Sequence, residues 1–164
     1  MTPASPMDQL NDIAVTKDHV VEMMFLPSAW QAATNTSRTW TSLDFPPQPR
    51  GLVPAQPGVY AFVVTPDLFD LDSASGLFYV GKATSLRSRI GEYIGEVDSD
   101  LNASKRPHVW KMVNRWNGSL KYFYTVTGDV AEAEALETQM IDALLPPFNR
   151  KLGATMSVKT RAFG

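Results

Sequence analysis

Two short segments, Gly58-Val59-Tyr60 and Tyr79-Val80-Gly81-Lys82, each place a tyrosine in a run that reads as a β-strand, where phenylalanine would pack equally well. A free phenol has a pKa of about 10, too high for a good base at neutral pH. A nearby ammonium, guanidinium or metal ion would favour the phenolate and bring it into range. Lys82 follows the second tyrosine at short distance, so a phenol and an ammonium are available together. The plain reading is that both tyrosines are ordinary strand residues whose hydroxyls bond to backbone.

Two helices add further charge to apolar faces. Arg89 lies on the same side as Leu86, Ile90, Tyr93 and Ile94, and Tyr93, four residues on, is its neighbour on the helix surface. Arg87 points elsewhere and reads as a solvated charge. In the last helix, Ala133, Leu136, Met140, Ile141 and Leu144 form one apolar face, and Glu137 falls inside it while Glu132 and Asp142 fall outside. An ionised carboxylate there needs a cation or a metal. Periodicity weighs equally a glutamate at the stripe edge that reaches solvent or pairs with an arginine, Arg89 included.

Other patterns carry less. The run from Gly76 to Ala83 is one residue short of the phosphate-binding loop G-x-x-x-x-G-K-[ST]. Its four intervening residues are bulky strand formers, Ala83 has no hydroxyl, and no apolar strand ending in aspartate follows, so the near-match is coincidence. His19 and His108 are too isolated for a metal pair. Lys105, Arg106, Lys111 and Arg115, interleaved with Trp110 and Trp116, could line a phosphate backbone or simply form a solvated helix face.

The elements that must position these residues begin at Gly58. Val59 to Val64 is apolar on both faces, as expected of a strand covered on both sides. Leu77 to Gly81 reads as its antiparallel partner. Thr84 or Ser85 can cap a helix to about Tyr93, a second helix spans Lys105 to Trp116, and Leu120 to Thr127 is a third strand. Val130 to Leu145 is the clearest helix, stopped by Pro146-Pro147. The order β-β-α-α-β-α predicts an α/β (α+β) fold with a small, mainly antiparallel, three-stranded sheet flanked by helices. Residues 1–57, with a helix expected from Asp18 to Phe25 and a cluster of prolines from Pro46 to Pro57, read as an extension packed on the core. Residues 58–150 form the main domain and 151–164 a tail.

Bulk properties narrow the class. With 164 residues, 44% of them hydrophobic, the chain can bury one core. It has no cysteine, which excludes a disulfide scaffold and thiolate metal sites. No transmembrane-length segment or secretory signal is visible, so no membrane partner and a cytoplasmic location are expected. The net charge of −2 hides an uneven distribution: residues 81–121 hold eight basic against four acidic groups, and residues 1–80 hold three against eight. A basic middle in an acidic chain suits a local polyanion contact.

The segment Gly58 to Asn149 resembles the GIY-YIG nuclease domain, and within that family most closely the N-terminal incision domain of bacterial excinuclease C. Gly58-Val59-Tyr60 and Tyr79-Val80-Gly81 correspond to the two signature triplets, and Gly81 to Ile90 follows the family's run into its first helix, with Arg89 as the family arginine. Tyr93 is the aromatic one turn later. Ala133-Glu134-Ala135-Leu136-Glu137 matches the last-helix motif and Pro147-Phe148-Asn149 the closing one. The resemblance implies a metal-dependent endonuclease that hydrolyses phosphodiester bonds of DNA, with RNA as the alternative, one strand per active site. Glu137 would hold Mg²⁺ or Mn²⁺. Tyr79 would be the base with Lys82 favouring its phenolate, Tyr60 the competing base or a phosphate ligand, and Arg89 the group that stabilises the transition state. Tyr93 would position the phosphate and Asn149 brace the site, while Lys82, Arg89, Lys105, Arg106, Lys111 and Arg115 would meet nucleic acid. The rival reading is a non-catalytic nucleic-acid-binding or partner-recruiting module on a nuclease fold.

Overall fold

The computed structural model describes Met23 and residues 25–34, 37–66, 68–71 and 75–149. Most of the helix expected at Asp18 to Phe25, and the whole 151–164 tail, lie outside the described residues. A helical turn, α1 (Pro27–Trp30), is followed by β1 (Thr41–Asp44), β2 (Gly58–Val64), β3 (Gly76–Ala83), α2 (Leu86–Ile94), α3 (Pro107–Arg115), β4 (Leu120–Val126) and α4 (Val130–Leu144). Among the described residues no helix is long and apolar enough to cross a membrane.

The sheet has four strands, not the three expected, in the order β1-β4-β2-β3, and every pairing is antiparallel. The added strand is β1, which pairs with β4 from Thr41↔Tyr124 to Asp44↔Lys121. Its sequence, Thr-Ser-Leu-Asp, has one apolar residue, so no alternation announces it; the free edge of β4 recruits it through backbone hydrogen bonds.

Both faces of β2 are covered, and this explains its unbroken apolar run. Tyr60 and Phe62 pack with Leu86, Ile90 and Tyr93 of α2 and Val109, Met112 and Val113 of α3. Val59 and Ala61 pack with Val80 and with Ala133 and Leu136 of α4. The helix ends follow local chemistry. The Ser85 hydroxyl accepts from the Ser88 amide at 3.3 Å and starts α2, and the Asp129 carboxylate accepts from the Glu132 amide at 2.7 Å and starts α4. Leu145, with φ of 48°, ends α4 in the left-handed conformation ahead of Pro146.

Arg87 corrects the sequence reading. Although exposed, its guanidinium donates to the carbonyls of Val53 (2.8 Å) and Gly51 (3.3 Å), tying the 50–53 turn to α2. The same segment accepts the first amides of α2, Leu86 N–H to Gln56 O and Arg87 N–H to Pro54 O, both at 3.0 Å.

Candidate functional site

β3 is an edge strand, so the backbone groups on its outer side need partners from elsewhere. Three residues supply them. The Phe78 carbonyl accepts from the Phe148 amide at 3.1 Å. Val80 is clamped by the Asn149 side chain, whose oxygen accepts from the Val80 amide (2.9 Å) and whose amide donates to the Val80 carbonyl (2.7 Å). The Lys82 amide donates to Glu137 Oε1 at 3.0 Å. Glu137 therefore sits in the apolar stripe of α4 because an unpaired strand amide draws its carboxylate to the sheet edge. The bridge to Arg89 considered from the sequence does not form: Arg89 pairs instead with Glu92.

Glu137 is half-buried, and burial raises its pKa, with the Lys82 amide and ammonium pulling it back and the Glu134 charge adding to the rise. The Lys82 ammonium lies 2.6 Å from Glu134, one turn before Glu137 on α4. Lysine, Glu134 and Glu137 thus form one group on the α4 side of the sheet.

The tyrosines gather on the opposite side. The hydroxyls of Tyr60 and Tyr93 are 2.9 Å apart and both residues are buried. The Tyr60 ring stacks on Tyr122 with centroids 5.8 Å apart, and the Tyr79 ring centroid is 6.2 Å from that of Tyr60 and 6.4 Å from that of Tyr93. Burial, then the neighbouring phenols, pushes the Tyr60 hydroxyl well above its ordinary range; burial and the Tyr79 charge do the same to Tyr93. Burial also raises Tyr122. Tyr79 is the half-buried member of this group.

Two backbone features set this packing. Phe62 pairs with Tyr79 but Val63 with Leu77, so Phe78 is the extra residue of a β-bulge. The bulge lets adjacent Phe78 and Tyr79 both reach the α2–α3 side of the sheet. Gly81 pairs with Tyr60 across the ladder, and a Cβ at Gly81 would stand 2.5 Å from Tyr60 Cζ. Only glycine admits the ring there. Gly58 is constrained similarly: its Cβ would meet Leu86 Cδ1 at 2.8 Å.

Arg89 is the group between the two halves. Its charge acts on Glu137 on one side and on Tyr60 and Tyr122 on the other. Its Nη1 is 2.6 Å from Glu92 Oε2. The same oxygen is 3.3 Å from Arg106 Nη1, and Arg106 Nη2 donates to the Tyr93 hydroxyl at 3.4 Å.

The structure thus brings Tyr60, Tyr79, Tyr93, Arg89 and Arg106 together on one side of β3, with Lys82 and Glu137 on the other and Asn149 at the edge between them. It does not bring the Lys82 ammonium to Tyr79, as expected from the sequence, because residue 82 alternates to the α4 face and meets Glu134. Lys105 is adjacent in sequence to Arg106, whereas Lys111 and Arg115 lie farther along α3 and are half-buried. Sequence reasoning missed Glu92 and Glu134. Their signals were spacings of three, Arg89 to Glu92 and Glu134 to Glu137, which place each pair on one helix face. It also missed Tyr122, whose only sign is its place in a strand.

Among the described residues no group of three or more His, Asp or Glu side chains is placed to hold a metal. Glu137 with water and a substrate oxygen is still a suitable donor set for a hard cation, which keeps several waters and takes one or two carboxylates. A cavity of about 580 Å³, lined by Ser42, Asp44, Lys121 and Phe123 among others, lies on the β1–β4 side of the sheet, away from this cluster. The candidate site is an open sheet edge.

Comparisons with known proteins match the same region. The model of the UvrC-like GIY-YIG domain family covers residues 56–150. The UvrABC system protein C of Nocardia farcinica is 36% identical over 99 residues, which is 60% of this chain and 12% of that protein. Its counterpart in Mycobacterium tuberculosis is also 36% identical over 99 residues, 60% of this chain and 13% of that one. The chain therefore spans about an eighth of the length of these curated relatives. Among solved structures, the GIY-YIG N-terminal endonuclease domain of UvrC from Thermotoga maritima, bound to magnesium, is 26% identical with a TM-score of 0.41, covering 60% of this chain and 88% of that one. With the family match extending over more than half of its residues, from ahead of β2 to the Asn149 clamp, the chain belongs to the UvrC-like GIY-YIG domain family.

Proposed function

We propose that this chain is a metal-dependent endonuclease domain that hydrolyses phosphodiester bonds of DNA, cutting one strand per active site. The observation that carries the reading is a carboxylate oriented by the β3 edge amide, a partly exposed phenol on the other face of the same strand, and an arginine whose charge acts on both sides. Membership of a GIY-YIG family supports it.

Glu137, its carboxylate oriented by the Lys82 amide, would hold the cation, Mg²⁺ or Mn²⁺. Such an ion supplies charge neutralisation at the phosphate and at the leaving oxygen when bound. Tyr79 is the group placed to take the proton of a water whose oxygen attacks phosphorus as the bond to the leaving oxygen breaks, with Arg89 rather than Lys82 the cation on its side of the sheet. Tyr60 is unsuited to that role, because its buried hydroxyl, bonded to Tyr93 and raised in pKa, stays protonated at neutral pH. Tyr60 and Tyr93, buried and bonded to each other, instead form the packed ground against which the Tyr79 ring is held. Arg89 meets charge developing on the phosphate oxygens, a role in which losing one donor typically costs ~10²–10³ in rate. Lys82 balances Glu134 and, through its amide and ammonium, partly offsets the burial that raises the Glu137 pKa.

The test is incubation of the protein with supercoiled plasmid and Mg²⁺ or Mn²⁺, with EDTA and Glu137→Ala as controls. Nicking that needs both the metal and Glu137 is expected. Binding without nicking would favour the non-catalytic module, and equal nicking in EDTA would remove the metal.

A further inference from the structure

Arg106 is not needed to pack the core, yet it is drawn into the tyrosine cluster. It sits at the N-terminus of α3, its Cζ 5.1 Å from the Tyr93 ring centroid and its Nη2 3.4 Å from the Tyr93 hydroxyl. Its Nη1 shares Glu92 Oε2 with Arg89, which comes from a different helix. Two guanidiniums on a single carboxylate oxygen leave the cluster with an excess positive charge. A phosphodiester offers two non-bridging oxygens that share one negative charge and is matched by planar, forked donors. The Glu92 pairs are weak competitors: the side chains are 34%, 30% and 50% exposed for Arg89, Arg106 and Glu92, and exposed pairs are easily broken.

We propose that Arg106 and Arg89, with Arg106 oriented by the buried Tyr93 hydroxyl and ring, form an anion site for a backbone phosphate of the bound DNA strand, and that Glu92 occupies it until that phosphate displaces it. The inference rests on the nuclease reading for its ligand, but its geometry concerns binding, not cleavage. Glu92 acts as a stand-in for the phosphate. It keeps both arginines oriented toward the tyrosines when no strand is bound, and it sets a threshold that only a polyanion overcomes through counterion release.

The test is fluorescence anisotropy of a fluorescein-labelled duplex oligonucleotide in EDTA, so that no strand is cut, over a series of salt concentrations. Arg106→Gln should weaken binding and reduce the magnitude of the log K against log salt slope by about 0.7–0.9, the loss of one phosphate contact. Arg106→Lys should keep the slope, because the charge remains, while losing part of the affinity with the fork. Glu92→Gln should tighten binding ~2–5-fold, the scale of an exposed ion pair, and should gain less when Arg106 is already glutamine. An unchanged slope in Arg106→Gln, no gain in Glu92→Gln, or a wild-type protein that binds no duplex in EDTA would overturn the site. Plasmid nicking with Mg²⁺ is scored separately. A protein that nicks but lacks these binding changes refutes the anion site and keeps the nuclease; one that shows them without nicking does the reverse.

Discussion

Replacing Gly81 by alanine probes the packing of the site at its tightest point. A Cβ at this position would lie 2.5 Å from Tyr60 Cζ and 3.1 Å from Cε1, so the ring must retreat by about an ångström to reach ordinary contact. The ring has little room to do so. It is stacked on Tyr122, set edge-on to Phe62 and Tyr93, and bonded through its hydroxyl to Tyr93 at 2.9 Å. Overpacking of this kind costs about 1–3 kcal/mol. Losing the phenol–phenol hydrogen bond adds about 1 kcal/mol, for a total of about 2–4 kcal/mol. That is a large share of the roughly 5–15 kcal/mol that holds a domain folded. Urea unfolding followed by circular dichroism measures it, with Gly51→Ala as the control, since a Cβ there meets nothing within 4 Å. A Gly81→Ala protein as stable as the control would show that the Tyr60 ring does not require glycine opposite it.

Further outcomes separate the roles of the other residues. Tyr79→Phe should lower the single-turnover cleavage rate by ~10²–10⁴, the range of a lost general base, with Tyr60→Phe milder; full activity in Tyr79→Phe would end its assignment as base. Asn149→Ala removes both bonds to Val80, and should cost about 1–3 kcal/mol and speed hydrogen exchange of the Val80 amide. Unchanged exchange there would show that the clamp contributes nothing. Burial first, and neighbouring phenols second, raise Tyr60, Tyr93 and Tyr122 above their unfolded value of about 10, so the folded state holds more protons above that pH. Their contribution is fully present below pH ~10 and is lost as pH rises past it, by up to about 1.4 kcal/mol per pH unit for each tyrosine. Absorbance of tyrosinate should then rise for the most part together with unfolding, and free ionisation of all five tyrosines in the folded protein would overturn the burial argument.

The elements from Gly58 onward were legible because each announced itself locally: β-branched and aromatic runs for β2 and β3, a serine cap for α2, an apolar stripe stopped by Pro146-Pro147 for α4. Strand β1 was not, since Leu43 is its one apolar residue and its strand state comes from the β4 edge. The unusual position of Glu137 was visible as a carboxylate in an apolar stripe. Its immediate cause was not, because the partner is the Lys82 backbone amide and amides leave no mark in a sequence. The same limit hid the Asn149 clamp. The Lys82 error has a simple origin. Nearness in sequence to Tyr79 suggested a phenol–ammonium pair, while regular strand alternation over the three steps from Tyr79 to Lys82 sends the two side chains to opposite faces.

Everything proposed for the chemistry depends on Glu137, oriented by the β3 edge, holding a cation at a phosphodiesterase site. Glu137→Gln isolates that role, because glutamine can still accept from the Lys82 amide through its carbonyl oxygen while losing the charge that holds a cation. The measurement is the plasmid-nicking rate of Glu137→Gln beside wild type at saturating Mg²⁺, with circular dichroism to confirm that both are folded. A folded variant whose nicking falls by orders of magnitude is expected; a folded variant that nicks at the wild-type rate would remove Glu137 from the metal site.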